Sequence, residues 1–358
     1  MREWTASLLR AAGLSADGVD DAVDNLEFAE RRGLASHGFL RLPTYIARIQ
    51  AGGINRDPQI CVIYDLPALA VVDADAAIGA RSATMCADIA ISKANMNGVG
   101  VVLARNASHF GAAGYYTERM ADAGVFGIVC CNTDAVMCAP FGGRAVLGSN
   151  PISMAAPVIQ PSRPQLDMAT TEAAHGKIIG ARDQGVQIPS GWAVDPEGRP
   201  TLDPVEALAG ALLPSGGAKG FGLAFMIDCL VAIGGAQTSD AVSPLYGDPS
   251  KPQELGHAFI AIAVDRVQTR DQYAARIDRL LSAVHASSTS GSSRAPVAPG
   301  ELSSKRASEA SSWTADASTL GKLVAVSNAL GVALPGGLTV EEADAGQSLG
   351  RQPMDGSQ

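Results

Sequence analysis

The chain has 358 residues, with 36 Asp and Glu against 27 Lys and Arg for a formal charge of -9; 47% of its residues are hydrophobic and 18% charged. At roughly 150 residues per domain, that length suggests two domains or one large two-part unit, and the apolar share excludes an extended disordered chain. The acidic balance leaves no basic stripe to neutralise phosphates, which excludes a nucleic-acid partner and leaves room for a local small-anion pocket.

The N-terminal MREWTASLLRAAG carries charge too close to its short apolar run to read as a signal peptide. Residues 1–60 read as helical: Val19, Val23 and Leu26 recur at helical spacing, as do Leu42, Tyr45, Ile46 and Ile49, with Pro43 in a first turn. From about 67 to 160, short apolar runs at Ala68 to Val72, Val99 to Ala104, Phe126 to Cys131 and Ile152 to Ala156 alternate with small-residue helical stretches, an α/β rhythm. Gly216 to Gly235, broken by Lys219 and Asp228, predicts a buried helix. A strand follows at Ala258 to Val264, then an amphipathic helix marked by Tyr273, Ile277, Leu280, Leu281 and Val284. The Ser/Ala/Pro-rich residues 286–312 read as a surface linker and the last dozen residues as frayed. No stretch of 18 uncharged apolar residues predicts a membrane span. The six cysteines (Cys61, Cys86, Cys130, Cys131, Cys138, Cys229) show neither CxxC nor metal-ligand spacing, so we expect most to be buried thiols, with no metal and a cytoplasmic location.

The common dinucleotide, phosphate-loop, zinc-protease and hydrolase-elbow motifs are absent. Four polar clusters set among Gly and Ala remain. In Ser36-His37-Gly38 with Arg41, an imidazole able to move a proton stands four residues from a guanidinium able to hold a carboxylate; a capping Ser beside exposed His and Arg is the plainer reading. Asn106 through Gly114, with Ser108 and His109, is either a helix N-terminus that receives a phosphate or an ordinary strand-to-helix turn capped by Ser108. The third cluster runs from Phe141 through Ser149-Asn150-Pro151 to Asp167-Met168-Ala169 and His175-Gly176-Lys177. Its His175 and Lys177 suit a carboxylate or a nicotinamide amide, and a self-satisfied loop is the alternative. The fourth, Pro214 to Gly220, sets Lys219 at a helix start, and Asp228 inside that helix reads as a paired structural carboxylate.

Seven strings in one order, "ASHGFLRLPTYIARIQAGGIN", "NASHFGAAGYY", "PFGGRAVLGSNPISMAAP", "LDMATTEAAHGKI", "GWAVDPEGRPTLDP", "LLPSGGAKGFGLAFMIDCL" and "GHAFIAI", resemble the type 2 malate/L-lactate dehydrogenase family over about Ala29 to Arg306. That family includes ureidoglycolate and sulfolactate dehydrogenases, diketogulonate reductase and piperideine/pyrroline-2-carboxylate reductases. The resemblance implies a non-Rossmann NAD(P)-dependent α/β fold, with a mixed-sheet central domain over 65–267 and a mainly helical domain from 1–64 plus 268–358. It further implies NAD or NADP as cofactor, a small carboxylate substrate and a homodimer.

Carried over by residue, the resemblance makes His37 the proton donor/acceptor, Ser36 its relay partner and Arg41 the carboxylate anchor. Ser149, His175 and Gly176 become substrate-side positions. His109, Phe110, Gly111, Ala112 and Ala113 form a cofactor turn, Asp167, Met168 and Ala169 a strand edge against the cofactor, and Lys219 a further cofactor contact. "APGELSSKR" (Ala298 to Arg306) resembles a late phosphate-side loop, while the segment between Ala181 and Ser190 is shortened and its "ARDQGVQIP" departs from the longer, more basic stretch usual in the family at that point. Lys177 stands where imine-reducing members carry an acid, so it joins the catalytic set and favours hydride transfer between a nicotinamide and a 2-hydroxy or 2-keto acid. A cyclic-imine reductase and a non-catalytic ligand-binding relative are the alternatives; a Ser36–His37 hydrolase lacks an orienting acid and an elbow.

Overall fold

The computed structural model describes residues 1–158, 163–289, 294–310 and 317–335. Three helices lead: α1 (Arg2–Ala11), α2 (Ala16–Arg31) and, after 3-10 turns at Ala35–His37 and Phe39–Arg41, α3 (Leu42–Ala51). An α/β run follows as β1 (Cys61–Asp65), β2 (Leu69–Asp73), α4 (Gly79–Asn97), β3 (Val99–Ala107), α5 (Ala113–Asp122) and β4 (Val125–Cys131). It continues through β5 (Met137–Cys138), β6 (Ala145–Leu147), β7 (Ile152–Ala155), β8 (Gln165–Met168), α6 (His175–Gln184) and β9 (Ala193–Val194). Then come α7 (Pro204–Ala209), β10 (Ala211–Leu212), α8 (Ala218–Ala232) and β11 (Leu255–Ala263), and finally α9 (Arg270–His285), α10 (Glu301–Glu309) and α11 (Ala317–Leu330).

The main sheet is mixed, seven strands in the order β1-β2-β3-β11-β4-β7-β8, with β2 and β3 parallel and the other pairs antiparallel. A four-stranded sheet, β6-β5-β10-β9, sits beside it. The long β11 is central because Phe259, Ala261 and Ala263 bury one face against the α4 and α5 side, while Ala258 faces Ile227 and Val231 of α8. Alanines at 83, 87, 90 and 94 line the buried stripe of α4; their small side chains let the helix lie close on the strands.

The predicted helical opening is observed. Val19, Val23 and Leu26 of α2 and Leu42, Tyr45, Ile46 and Ile49 of α3 form one apolar core with α1 and Leu323 of α11. Pro43 falls in the first turn of α3, where its missing N–H costs nothing. The predicted strand runs correspond to β2, β3, β4, β7 and β11.

Two readings need correction. The helix expected to be buried, α8, buries only one side, and Phe225 (51% exposed) and Met226 (62% exposed) stand on its open face. Apolar content alone does not distinguish a helix with core on all sides from one with core on a single side. The expected linker at 286–312 contains α10. Gly300 lies against Gln165, Gln165 N–H donates to Pro299 O (3.0 Å), and the Glu301 carboxylate accepts from the Ala298 N–H (2.9 Å). Part of that segment and the C-terminal stretch read as frayed lie outside the described residues. Of the six thiols, all free, Cys61 and Cys229 are exposed and the other four buried. Among the described residues no helix is long and apolar enough to cross a membrane.

Candidate active site

Ser36, His37 and Arg41 occupy the two 3-10 turns between α2 and α3, short enough that three polar side chains emerge on one side. Phe39 N–H donates to Glu30 Oε2 (3.1 Å), which fastens the turns to α2. Ser36 Oγ lies 3.0 Å from His37 Nδ1, so Nε2 remains for a ligand. Arg41 donates from Nε to Ser36 O (2.6 Å) and from Nη1 to the Tyr246 hydroxyl. His37 keeps an opening to solvent, but protein packs closely around the ring. That desolvation first, and the Arg41 charge second, push its pKa down to about 3, so the free protein holds a neutral imidazole.

His175 at the start of α6 faces the same place, its ring 6.4 Å from that of Tyr246, and desolvation followed by Arg41 and Arg182 lowers it to about 4. Gly176 presses on the serine: a Cβ there would stand 2.9 Å from Ser36 Cβ. Lys177 lies apart from this cluster: its N–H donates to Ala174 O (2.9 Å), while its exposed side chain carries the ammonium 5.9 Å from the centre of the Trp192 ring. Its α-helical neighbours face the site while Lys177 faces away, because consecutive helical residues point about 100° apart.

The turn after β3 forms the second half. His109 stacks 5.8 Å from His37 at 20°. Gly111 N–H reaches His109 Nδ1 (3.3 Å) and can only donate, so Nδ1 is an acceptor, the Tyr45 hydroxyl donates to it as well (2.7 Å), and the ring proton sits on Nε2. Asn25 of α2 grips both groups of Ala112, accepting from its N–H (2.9 Å) and donating to its O (3.2 Å). Gly111 has φ +80°, and a Cβ there would fall 1.9 Å from Asn25 Oδ1; only glycine fits the turn. Ser108 does not cap α5, whose N-cap is Ala112. Nor is the first turn of α5 left wholly to an external anion: Asp167 Oδ2 accepts from Gly114 N–H (2.8 Å), bringing the 109–113 turn and the 167–169 strand edge together.

From that edge the band continues. Ser149 spends its carbonyl on Thr170 N–H (2.9 Å) and Thr170 Oγ1 (2.8 Å), and its N–H on Thr133 Oγ1 (2.9 Å). The buried Asn150 accepts from Thr133 N–H and donates to Ala224 O of α8, each at 2.9 Å. Ser215 N–H donates to Thr170 O (2.9 Å), which seats the start of α8, with exposed Lys219, beside the 167–170 edge. A surface cleft of about 490 Å³ opens there, lined among others by Phe141, Glu172, Pro214 and Gly217. Its walls exclude His37 and Arg41, so the site is defined by converging side chains rather than by that cleft. Asp228 is tied to Asn132 Nδ2 (2.9 Å) and Ser239 N–H (3.2 Å), a structural carboxylate as predicted.

Tyr45, Tyr246, Asn25, Gln253 and Asp134 complete the site without having been anticipated. Gln253 Oε1 accepts from His109 N–H (3.0 Å); Asp134 lies near Arg41 and Arg48, its carboxyl raised above the usual range mainly by burial. Tyr45 stands four residues after Arg41 on α3, a spacing that shares a helix face and was legible. The other four arrive from distant segments.

A neutral imidazole beside a guanidinium, with a glycine turn and helix start close by, is equipped to move a hydroxyl proton next to a held carboxylate; that is the apparatus of oxidoreductases acting on 2-hydroxy acids. The model of the malate/L-lactate dehydrogenase family matches residues 1–316, and the chain belongs to that family. It is 40% identical over 278 residues to L-sulfolactate dehydrogenase of Methanocaldococcus jannaschii, covering 77% of this chain and 80% of the relative. The solved structure titled as sulfolactate dehydrogenase from that organism superposes with a TM-score of 0.85 at 35% identity, covering 92% of this chain and 96% of that one. Ureidoglycolate dehydrogenase (NAD(+)) of Escherichia coli K12 is 40% identical over 253 residues, 70% of this chain and 72% of the relative. A Δ1-piperideine-2-carboxylate reductase from Pseudomonas syringae has the same fold at a TM-score of 0.81 and 26% identity, covering 91% of this chain and 97% of that one. The protein is therefore an NAD(P)-dependent oxidoreductase of the 2-hydroxyacid dehydrogenase type.

Proposed function

We propose that the protein transfers a hydride between NAD(P) and a small open-chain 2-hydroxy/2-keto acid, with His37 as proton acceptor and donor and Arg41 as carboxylate anchor. One observation carries the reading: Ser36, His37 and Arg41 are bonded into a single unit whose imidazole is neutral. With His37 Nδ1–H donating to Ser36 Oγ, Nε2 keeps its lone pair for the hydroxyl proton, and Ser36 holds the ring orientation. Arg41, His175 and Gly176 bound the substrate side, and Ser149, held beside the 167–170 edge through Thr170, is a further substrate contact in this reading.

The residues present fit a dinucleotide. The 109–113 turn, the edge Asp167, Met168 and Ala169, and the α8 start with Lys219 form one contiguous band of backbone groups and small side chains, joined through Gly114, Thr170 and Ser215. When bound, the nicotinamide supplies or accepts the hydride. Lys177, turned to Trp192, makes no contact with the Ser36–His37 pair in this arrangement and is left out of the proposed relay.

Three coarser assignments accompany the site. Supported by the shared core of α1–α3 and α11, 1–64 with 268–358 forms a mainly helical domain and 65–267 the α/β domain. A homodimer is supported by the open apolar face of α8, where Phe225, Met226 and Ile233 are exposed. Cytoplasmic residence is supported by six free thiols.

The test follows NADH and NADPH absorbance separately with pyruvate, oxaloacetate, 2-oxoglutarate, sulfopyruvate and piperideine-2-carboxylate. Turnover of an open-chain keto acid is expected and names the cofactor. Turnover of the cyclic imine alone would move the protein to the imine-reductase branch, and cofactor binding without turnover of any compound would leave a ligand-binding relative.

A further inference from the structure

Arg41 has two of its nitrogens engaged before any substrate arrives: Nε on Ser36 O (2.6 Å) and Nη1 on the Tyr246 hydroxyl. The Tyr246 oxygen accepts that bond, and among the described residues nothing accepts the proton it carries. The guanidinium carbon lies 5.2 Å from the Tyr246 ring centre, so the hydroxyl and the guanidinium edge meet the same small volume beside His175. Tyr246 is 48% exposed and therefore reachable by a ligand.

The loop that carries Tyr246 is held from two sides. Arg48, a guanidinium only 1% exposed, donates from Nη1 to Leu245 O (3.3 Å) and Asp248 O (3.4 Å), and from Nη2 to Lys251 O. Leu245 N–H donates to the Asp134 carboxyl. The loop carbonyls offset the desolvation of this buried guanidinium, and those of Leu245 and Asp248 fix the backbone on either side of the exposed Tyr246.

We propose that Tyr246 is a substrate-binding residue that completes the carboxylate site: its hydroxyl accepts from Arg41 and donates to one carboxylate oxygen, while Arg41 holds the other. This rests on the dehydrogenase reading above. A substrate carboxylate then receives one neutral and one charged donor in a geometry already assembled by Arg48 and Asp134, so little ordering cost remains at binding. The same pair discriminates against esters and amides, which leave the Tyr246 proton or the Arg41 charge without an anionic partner.

The experiment uses Tyr246→Phe, which keeps the ring and removes one oxygen, in the full chain with its cofactor. Loss of a hydrogen bond to a charged group predicts a KM for the keto acid raised on the order of tenfold with kcat within about twofold. The KM for the methyl ester of the same acid and the affinity for reduced cofactor stay unchanged. Oxamate binding to the reduced-cofactor complex, read by fluorescence, weakens by a similar factor and needs no turnover. An unchanged keto-acid KM, or an equal rise for acid and ester, would overturn the assignment. Wild-type protein that neither turns over an acid nor binds oxamate would overturn the dehydrogenase reading with it.

Discussion

At the residue scale, the behaviour of His37 follows from its neighbour. Desolvation and the Arg41 charge together hold the imidazole neutral in the free protein, far below its ordinary 6.5. A carboxylate bound on Arg41 offsets that positive charge, so the pKa of His37 rises in the substrate complex. Oxidation of a hydroxy acid needs the neutral ring and is lost as pH falls through the relevant pKa. The acid limb of kcat, which reports the complex, is therefore expected at higher pH than that of kcat/KM, which reports the free protein. Steady-state profiles extended from about pH 8 down to about pH 3, where the free-protein limb lies, check this, and coincident limbs would refute it. His37→Ala removes the positioned acceptor and lowers kcat by about 10²–10⁴-fold, whereas Arg41→Ala acts mainly through the KM for the acid. Comparable kcat in His37→Ala and wild type would remove His37 from the chemistry.

At the element scale, the turn from β3 into α5 depends on one glycine. Gly111 combines φ +80° with contact against Asn25, and Asn25 in turn holds both backbone groups of Ala112. Gly111→Ala meets a backbone penalty of about 1–2 kcal/mol and a clash besides. The expected result is a lowered Tm together with weaker binding of reduced cofactor in a fluorescence titration; unchanged cofactor affinity would separate this turn from the dinucleotide. The strand and helix runs were legible because apolar periodicity and glycine breaks are local signals, and α2, α3, β3, β4 and β11 lie where those signals stand. The helix α10 was hidden inside a Ser-rich stretch. Its stabilising contacts, Pro299 with Gln165 and Glu301 with His285 (2.8 Å), pair residues far apart in the chain or across a turn.

At the scale of the whole molecule, burial of neutral histidines sets the response to acid. His257 is wholly enclosed, its ring 4.5 Å from that of Phe110, and burial pushes its pKa down to about 3. Unfolded, the same residue takes up a proton near 6.5. The unfolded state thus binds more protons between those values, so stability is full above about pH 6.5 and falls as pH drops toward 3; His37, His109 and His175 act in the same direction. Below pH 6.5 each unit costs up to about 1.4 kcal/mol for a fully enclosed histidine. Urea unfolding at pH 7 and pH 5 is expected to show a lower midpoint at pH 5, and His257→Gln a smaller difference between the two. Equal midpoints would show that these rings are solvated. The open face of α8 makes a second expectation: light scattering should report twice the chain mass, and Phe225→Glu with Met226→Glu should shift it toward the monomer.

What the sequence determined by itself is local: helices and strands by periodicity, the S-H-G turn ahead of Pro43, the proximity of His37 and Arg41, and the order of motifs that marks the family. Tertiary structure decided which groups share one volume. Periodicity tells which face of an element is apolar but not what that face meets, so nothing in the chain between residues 41 and 246 indicates that Tyr246 lies on Arg41, or that Asp167 takes the Gly114 amide. Nor does neighbourhood along a helix place a side chain: Lys177 follows two site residues and turns to Trp192 instead. The protonation of the site is likewise a property of packing, because the neutral state of His37 comes from the protein that surrounds it and the charge brought beside it.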